Sequence, residues 1–328
     1  MSAVKRDVSV IICTHDSARW HDLLDAVRSV DAQGLRGVET IVVVDHNPDM
    51  LRRVRSEFPH VHSLANDGVR GASAARNEGA RAATGELLAF LDDDAVARPG
   101  WLEHLTDPYE NLAVIGVGGG LEPLWLRGRP YWFPEEFGWV VGVSYRGLPR
   151  TGGPVRNVWT TNMSVRRVVF DAAGGFREGF GKTGSRSAPE DTDFCLRARR
   201  AWPGSIWLHE PTAVAAHKVP PSRSNLRFFL TRCYVEGRGK AELARLVGHQ
   251  EGMSTERTHA RTLPAAAARE LGDALLGRSG AYARAATIVA GLAAASAGFA
   301  AESVRTRGAG IPRPAPASGA RTDIPAGR

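Results

Sequence analysis

Leu87-Leu88-Ala89-Phe90-Leu91-Asp92-Asp93-Asp94 is the stretch whose reading decides the fold. Five apolar residues without polar alternation predict a strand buried on both faces, as in a parallel sheet. The strand runs directly into three carboxylates. In an open α/β sheet, ligands bind beyond the carboxyl ends of the strands, so the charge should lie at the functional edge. Adjacent carboxylates repel one another, and a divalent cation relieves that repulsion. A solvated acidic turn is the simpler reading of an isolated triplet. The flanking sequence favours a site.

Upstream, strand and helix patterns alternate. Residues 8–13 are a buried strand ending at Thr14-His15-Asp16, followed by Trp20, Leu23, Leu24, Val27 and Val30 at helical spacing. Residues 41–44 form a second strand, stopped at Asp45-His46-Asn47-Pro48, because proline cannot continue the ladder. A helix over 48–58, a short strand over 61–64, a loop over 66–71 and a helix over 72–83 complete the approach to the acidic strand. Short βα alternation predicts an α/β fold, with a mostly parallel central sheet flanked by helices. No G-x-G-x-x-G follows the first strand, which argues against a dinucleotide-binding dehydrogenase.

Composition sets the outer bounds. The 328 residues are 43% hydrophobic and 23% charged, as expected of a globular chain with one large domain and appendages. A net charge of +7 favours anionic partners such as nucleotides or a membrane surface. No zinc finger or base-stacking consensus occurs, so no nucleic-acid partner is expected. Cys13, Cys195 and Cys233 are far apart and odd in number, which suits a reducing compartment rather than a disulfide framework. The short polar start at residues 1–7 lacks a signal-peptide pattern. The expected location is cytoplasmic, with peripheral contact at the inner face of the membrane.

Thr14, Asp45, Gly71-x-x-x-Ala75-Arg76-Asn77-x-Gly79 and Asp92-Asp93-Asp94 stand in an order and spacing that resembles family 2 glycosyltransferases with the GT-A fold. The likeness continues through Asn162-Met163-Ser164 and Pro189-Glu190-Asp191-Thr192-Asp193 to His217, covering about residues 7–220. The chain departs from the pattern at His46-Asn47-Pro48, where the family continues with a second Asp and a Gly-Ser or Asn-Ser pair. The resemblance implies an inverting enzyme that uses a divalent metal, magnesium or manganese. Its donor would be a UDP-, dTDP- or GDP-linked sugar, and its acceptor a glycan, lipid or small molecule.

Each candidate residue has a chemical reason. Thr14, His15 and Asp45 lie at adjacent strand ends, where a hydroxyl and a carboxylate can bond a nucleobase or ribose; turn and helix capping is the competing role. The resemblance places Arg76 and Asn77 near the nucleotide, although Arg70 in the preceding loop is equally well placed. It also makes Asp92 and Asp94 the D-x-D pair. Strand alternation would put these two on one side and Asp93 on the other. Asp94 is then expected on the metal with His217, Asp92 on the metal or ribose, and Asp93 bonded elsewhere in the donor site. Asn162 is implied near the donor sugar. Glu190 and Asp191 open a helix, which is ordinary capping chemistry. The resemblance makes Asp191 the general base, with Glu190 beside it.

The rest of the chain is less specific. A strand over 114–117 should be broken by Gly118-Gly119-Gly120. Trp125, Tyr131, Trp132, Phe133, Phe137, Trp139 and Tyr145 read chiefly as core beneath long loops, with one or two available to an acceptor platform. Residues 179–188 read as a mobile loop, and 205–208 and 212–216 as two strands. Beyond them come an amphipathic helix over 223–247, a polar linker over 248–262, and a helix with Pro264 in its first turn. The uncharged run over 285–301 falls short of a membrane span and reads as a packed or interfacial helix. The expected divisions are a catalytic domain over 1–220 (halves 7–120 and 121–220), a helical extension over 221–304 and a disordered basic tail over 305–328. A sugar nucleotidyltransferase would carry a glycine-rich phosphate loop near the first strand, which is absent. A non-catalytic sugar-nucleotide-binding protein would bind the donor without turning it over.

Overall fold

A computed structural model describes residues 7–35, 37–183, 186–248 and 253–305. The first half alternates β1 (Val8–Thr14), α1 (Trp20–Asp31), β2 (Val38–Asp45), α2 (Pro48–Glu57), β3 (His62–Asn66), α3 (Ala72–Ala82) and β4 (Leu87–Asp92). Then come β5 (Ala95–Ala97), α4 (Trp101–Thr106), β6 (Val114–Trp125), β7 (Gly153–Val155), β8 (Asn162–Arg166) and α5 (Arg167–Ala172). The remainder is β9 (Gly181–Thr183), β10 (Arg186–Ala188), α6 (Glu190–Ala201), β11 (Ile206–Val219), α7 (Leu226–Val247), α8 (Ser254–Leu275) and α9 (Ala281–Arg305).

The main sheet runs β3-β2-β1-β4-β8-β6-β11-β5, with β7 also paired to β11. Strands β3, β2, β1 and β4 are parallel; β8 inserts antiparallel between β4 and β6, and β11 is parallel to β6. The period-2 geometry of a strand divides the core in two. Leu87, Ala89 and Leu91 of β4 join one apolar cluster with α1 and α4, while Leu88 and Phe90 join the other with α3, α5 and α6. Both faces are buried, which is why β4 reads as an unbroken apolar run.

Several expectations are corrected. Gly118, Gly119 and Gly120 do not end β6. A Cβ on Gly119 would lie 2.1 Å from the Ala213 carbonyl oxygen, and one on Gly120 would lie 2.6 Å from that of Pro211. These glycines let β11 approach, a known use of glycine within strands. The division expected at residue 120 therefore falls inside a strand. Residues 206–219 form one long strand with a register irregularity between Glu210 and Ala215, not two strands. The stretch expected as a mobile loop contains the antiparallel pair β9–β10. Helix α8 begins at Ser254, so the linker is shorter than expected and Pro264 lies inside the helix. Leu263 and Ala266 on either side are buried, and that packing outweighs the hydrogen bond that proline removes. The tail over 306–328 lies outside the described residues.

Helix α9 is long and apolar enough to cross a membrane by length and composition, contrary to the expectation of a shorter run. It nevertheless packs closely along α7. A Cβ on Gly237 would meet the Ala295 carbonyl oxygen at 2.0 Å, and one on Gly298 would meet that of Tyr234 at the same distance. Glycines at the crossing bring the two backbones together, which explains the Ala- and Gly-rich composition. On α7 only Phe229 and Cys233 of the expected apolar face are fully buried; Leu226, Leu230 and Tyr234 stay exposed. Phe229 packs against Trp132, Phe133 and Phe137, so the aromatic run is largely core, as expected.

Candidate active site

Thr14, Asp45 and Asp92 end three neighbouring parallel strands. They open into a cavity of about 1710 Å³, also lined by His15, Arg19, Arg76, Asp93, Asp94, Glu190, Asp191, His217 and Arg223. At one end, Asp45 Oδ1 accepts from Asn66 Nδ2 at 2.6 Å and faces His46 Nδ1 at 2.7 Å, while Oδ2 accepts from the Gly71 N–H at 3.0 Å. His46 turns the chain with φ +51, the one positive φ outside glycine among the described residues. Asn47 then caps α2 by accepting from the Met50 N–H, and Pro48 takes the first turn. The unusual His46-Asn47-Pro48 is thus a turn, a cap and a helix start.

The acidic triplet does not alternate. β4 ends at Asp92, and Asp93-Asp94 form a turn, so two adjacent carboxylates come together and Asp92 points apart. Asp92 accepts from Arg76 Nη2 at 2.8 Å and Thr161 Oγ1 at 2.8 Å. Asp93 accepts from Thr14 Oγ1 at 2.7 Å and Arg19 Nη1 at 2.5 Å. Asp94 accepts from Arg19 Nη2 at 2.6 Å, and Arg223 Nη1 lies 3.7 Å away. Burial pushes the Asp93 carboxyl up to about 7, with Arg19 opposing. Burial also raises that of Asp94, but the hydrogen bond and charge of His217, with Arg19 and Arg223, hold it well below the usual carboxylate range.

Asp94 and His217 stand together as a buried, hydrogen-bonded pair. His217 Nδ1 faces the Val141 carbonyl at 3.0 Å, and Nε2 lies 3.2 Å from Asp94 Oδ1. Neighbouring ligands of an octahedral Mg²⁺ stand about 3.0 Å apart, given bonds of about 2.1 Å. The carbonyl contact orients the ring, and Nε2 is the nitrogen turned toward Asp94. Gly142 makes room for the ring, since a Cβ there would lie 2.8 Å from its Cε1. Among the described residues no group of three His, Cys, Asp or Glu side chains is arranged to hold a metal. A cation that also binds substrate phosphates needs only one or two protein ligands. The expected third ligand, Asp92, is not brought to this pair.

Glu190 and Asp191 open α6 and line the same cavity. Arg76 Nη1 is buried without a hydrogen-bond partner, 3.6 Å from Glu190 Oε1. Burial and the adjacent Asp191 charge push the Glu190 carboxyl up to about 7, against the pull of Arg76. Burial also raises that of Asp191, opposed chiefly by the Lys240 ammonium and by the Thr192 N–H, which donates to Oδ1 at 2.6 Å. Trp139, Tyr145 and Lys240 continue the wall beyond Asp191.

Two expected donor contacts lie elsewhere. Asn77 spends its whole amide on Phe176, donating to the carbonyl at 2.8 Å and accepting from the N–H at 2.9 Å. Asn162 accepts from Trp101 Nε1 and donates to the Gly120 and Ala213 carbonyls, which clasps β8 to β6 and β11. Neither lines the cavity. Sequence reasoning missed Arg19, Thr161, Arg223 and Lys240. Only Thr161, adjacent to the Asn-x-Ser segment, carried a local signal.

A family model described as "Glycosyl transferase family 2" matches residues 9–174. The glucosyl-dolichyl phosphate glucuronosyltransferase of Haloferax volcanii is 34% identical over 238 residues, covering 71% of this chain and 76% of the relative. The succinoglycan biosynthesis protein ExoM of Rhizobium meliloti is 26% identical over 250 residues, covering 72% and 74%. Among solved structures, the mannosyltransferase PcManGT from Pyrobaculum calidifontis, in complex with GDP-Man and Mn²⁺, superposes with a TM-score of 0.59 at 18% identity, covering 93% of this chain and 89% of that one. GalNAc-T7 with UDP, GalNAc and Mn²⁺ gives 0.54 at 14% identity, covering 77% and 54%. These two likenesses establish the GT-A fold.

Proposed function

The chain belongs to glycosyl transferase family 2, and from that premise we propose that it transfers a sugar, with inversion, from a nucleoside diphosphate to an acceptor hydroxyl, with Asp191 as general base. The observation that supports this reading is one cavity lined by the strand-end groups Thr14, Asp45 and Asp92, the Asp94–His217 pair, and the acidic pair Glu190-Asp191. Thr14, Asp45 and Arg76 face the nucleotide end. Asp94 and His217 would hold magnesium or manganese, which would supply positive charge for the leaving diphosphate. Asp191 accepts the proton of the acceptor hydroxyl as the bond to the anomeric carbon forms. Burial makes its carboxylate a stronger base than a solvated one. Glu190 precedes it in the chain, and Lys240 and Glu236 set the local charge.

The acceptor reaches the site beside a membrane in this reading. Its support is the turn between α8 and α9, where Leu275, Leu276 and Tyr282 are 82%, 75% and 63% exposed, with Arg278 between them. Exposed apolar side chains suit a membrane interface, although Arg278 is itself paired with Asp273 at 2.8 Å.

Thermal unfolding with UDP, dTDP or GDP, each with Mn²⁺, tests the donor half. One nucleotide should stabilise the chain by about 2.7 kcal/mol at a hundredfold excess over Kd. EDTA or Asp94→Ala should remove the effect. No response to any of the three, or a response indifferent to EDTA, contradicts the reading.

A further inference from the structure

Arg19 is absent from the expected site, yet it makes the closest charge contacts there. It ends a short 3-10 turn over Ser17–Arg19 that follows β1, with Asp16 accepting from the Ala18 N–H at 2.9 Å. From this turn the guanidinium spans the two buried carboxylates of the acidic turn, at 2.5 Å to Asp93 and 2.6 Å to Asp94. Arg223 adds a second cation 3.7 Å from Asp94. Two buried carboxyl groups therefore already face two guanidinium groups. Repulsion between carboxylates, the usual driving force for cation capture, is largely spent before any metal arrives. Arg19 remains 27% exposed and lines the cavity. Two of its five N–H groups account for the carboxylate contacts, and its planar fork suits phosphate oxygens.

Building on the glycosyltransferase reading, we propose that Arg19 is a gate and a diphosphate contact at once. It shields Asp93 and Asp94 from free divalent cation, and it meets the donor's diphosphate with its remaining N–H groups. The cation then enters efficiently only with the diphosphate, whose negative charge offsets Arg19 and Arg223. Coulomb repulsion between a guanidinium and a divalent ion on the same carboxylate gives the direction: Arg19 weakens cation binding alone and strengthens it in the complex.

Electron paramagnetic resonance of Mn²⁺ tests this on Arg19→Gln and Arg19→Lys beside the wild type, each alone and with UDP or GDP. Arg19→Gln should bind Mn²⁺ alone about tenfold more tightly, because a repelling charge is gone. With saturating Mn²⁺ it should bind the nucleoside diphosphate about tenfold more weakly, having lost a charge-assisted hydrogen bond. Arg19→Lys keeps the charge without the fork, so it should retain the shielding and lose part of the diphosphate affinity. It also guards against misfolding of the glutamine variant. Unchanged or weaker Mn²⁺ binding alone in Arg19→Gln, or full diphosphate affinity, overturns the proposal. A wild type that binds neither UDP nor GDP here, nor dTDP in the thermal assay, overturns the glycosyltransferase reading instead, and the Mn²⁺-alone comparison still decides whether Arg19 shields the turn.

Discussion

Lys240 illustrates how a residue distant in sequence sets the chemistry of the site. It lies on α7, in ion pairs with Glu256 at 2.8 Å and Glu236 at 3.5 Å, and its ammonium favours the ionised form of Asp191. A base must be ionised to accept a proton, and the Asp191 carboxyl is raised above its ordinary value. Activity should therefore be present above the folded-state value and lost as pH falls through it. Lys240→Met removes a nearby positive charge, which raises that value further and should move the acid limb of the rate profile to higher pH. Glu190→Gln removes a negative neighbour and should move it to lower pH. Rate measured between pH 5 and 9 checks both shifts; limbs that coincide with the wild type would show that Asp191 does not control them. None of this was legible from the sequence, where Lys240 reads only as part of a polar helix face. The acidic pair Glu190-Asp191 at the start of a helix was legible as a motif. Asn77 and Asn162 stand in matching motifs, but Asn77 on α3 is spent on the Phe176 backbone and Asn162, buried in β8, on Trp101 and the Gly120 and Ala213 carbonyls. The alternation expected of Asp92, Asp93 and Asp94 failed because the backbone leaves extended geometry at Asp92.

At the scale of elements, apolar runs and their stop signals placed β1, β2 and β4, and with them the edge where the site lies. Such strands are determined by burial on both faces, which the residues themselves record. The pairing of β8 between β4 and β6 was not recorded, because antiparallel insertion depends on long-range partners. Glycine misled where it allows close approach rather than a turn, in β6 and again between α7 and α9. Gly298→Ala puts a Cβ 2.0 Å from the Tyr234 carbonyl oxygen and must push α9 off α7. Overpacking of this kind costs about 1–3 kcal/mol, so the melting temperature should fall by several degrees. Gly272→Ala meets nothing within 4 Å and serves as the control on α8. Equal melting temperatures for the two variants would refute the close crossing.

On the scale of the whole molecule, the GT-A region and helices α7–α9 form one cavity wall, since Asp191 from α6 and Lys240 from α7 line the same space. The tip beyond α8 exposes Leu275 and Leu276, the residues on which the proposed membrane contact rests. Leu275→Ser with Leu276→Ser should abolish sedimentation with anionic vesicles at low salt, while leaving nucleotide-induced stabilisation intact. Undiminished sedimentation would move the membrane contact elsewhere or remove it. The central claim is that one cavity performs inverting transfer with Asp191 as base. Its most direct test is Asp191→Asn, with calorimetry of nucleoside diphosphate binding in Mn²⁺ beside turnover of the donor sugar. Turnover should fall by about 10²–10⁴-fold at unchanged affinity, since the base acts only as the bond forms. Wild-type turnover in Asp191→Asn would contradict the account.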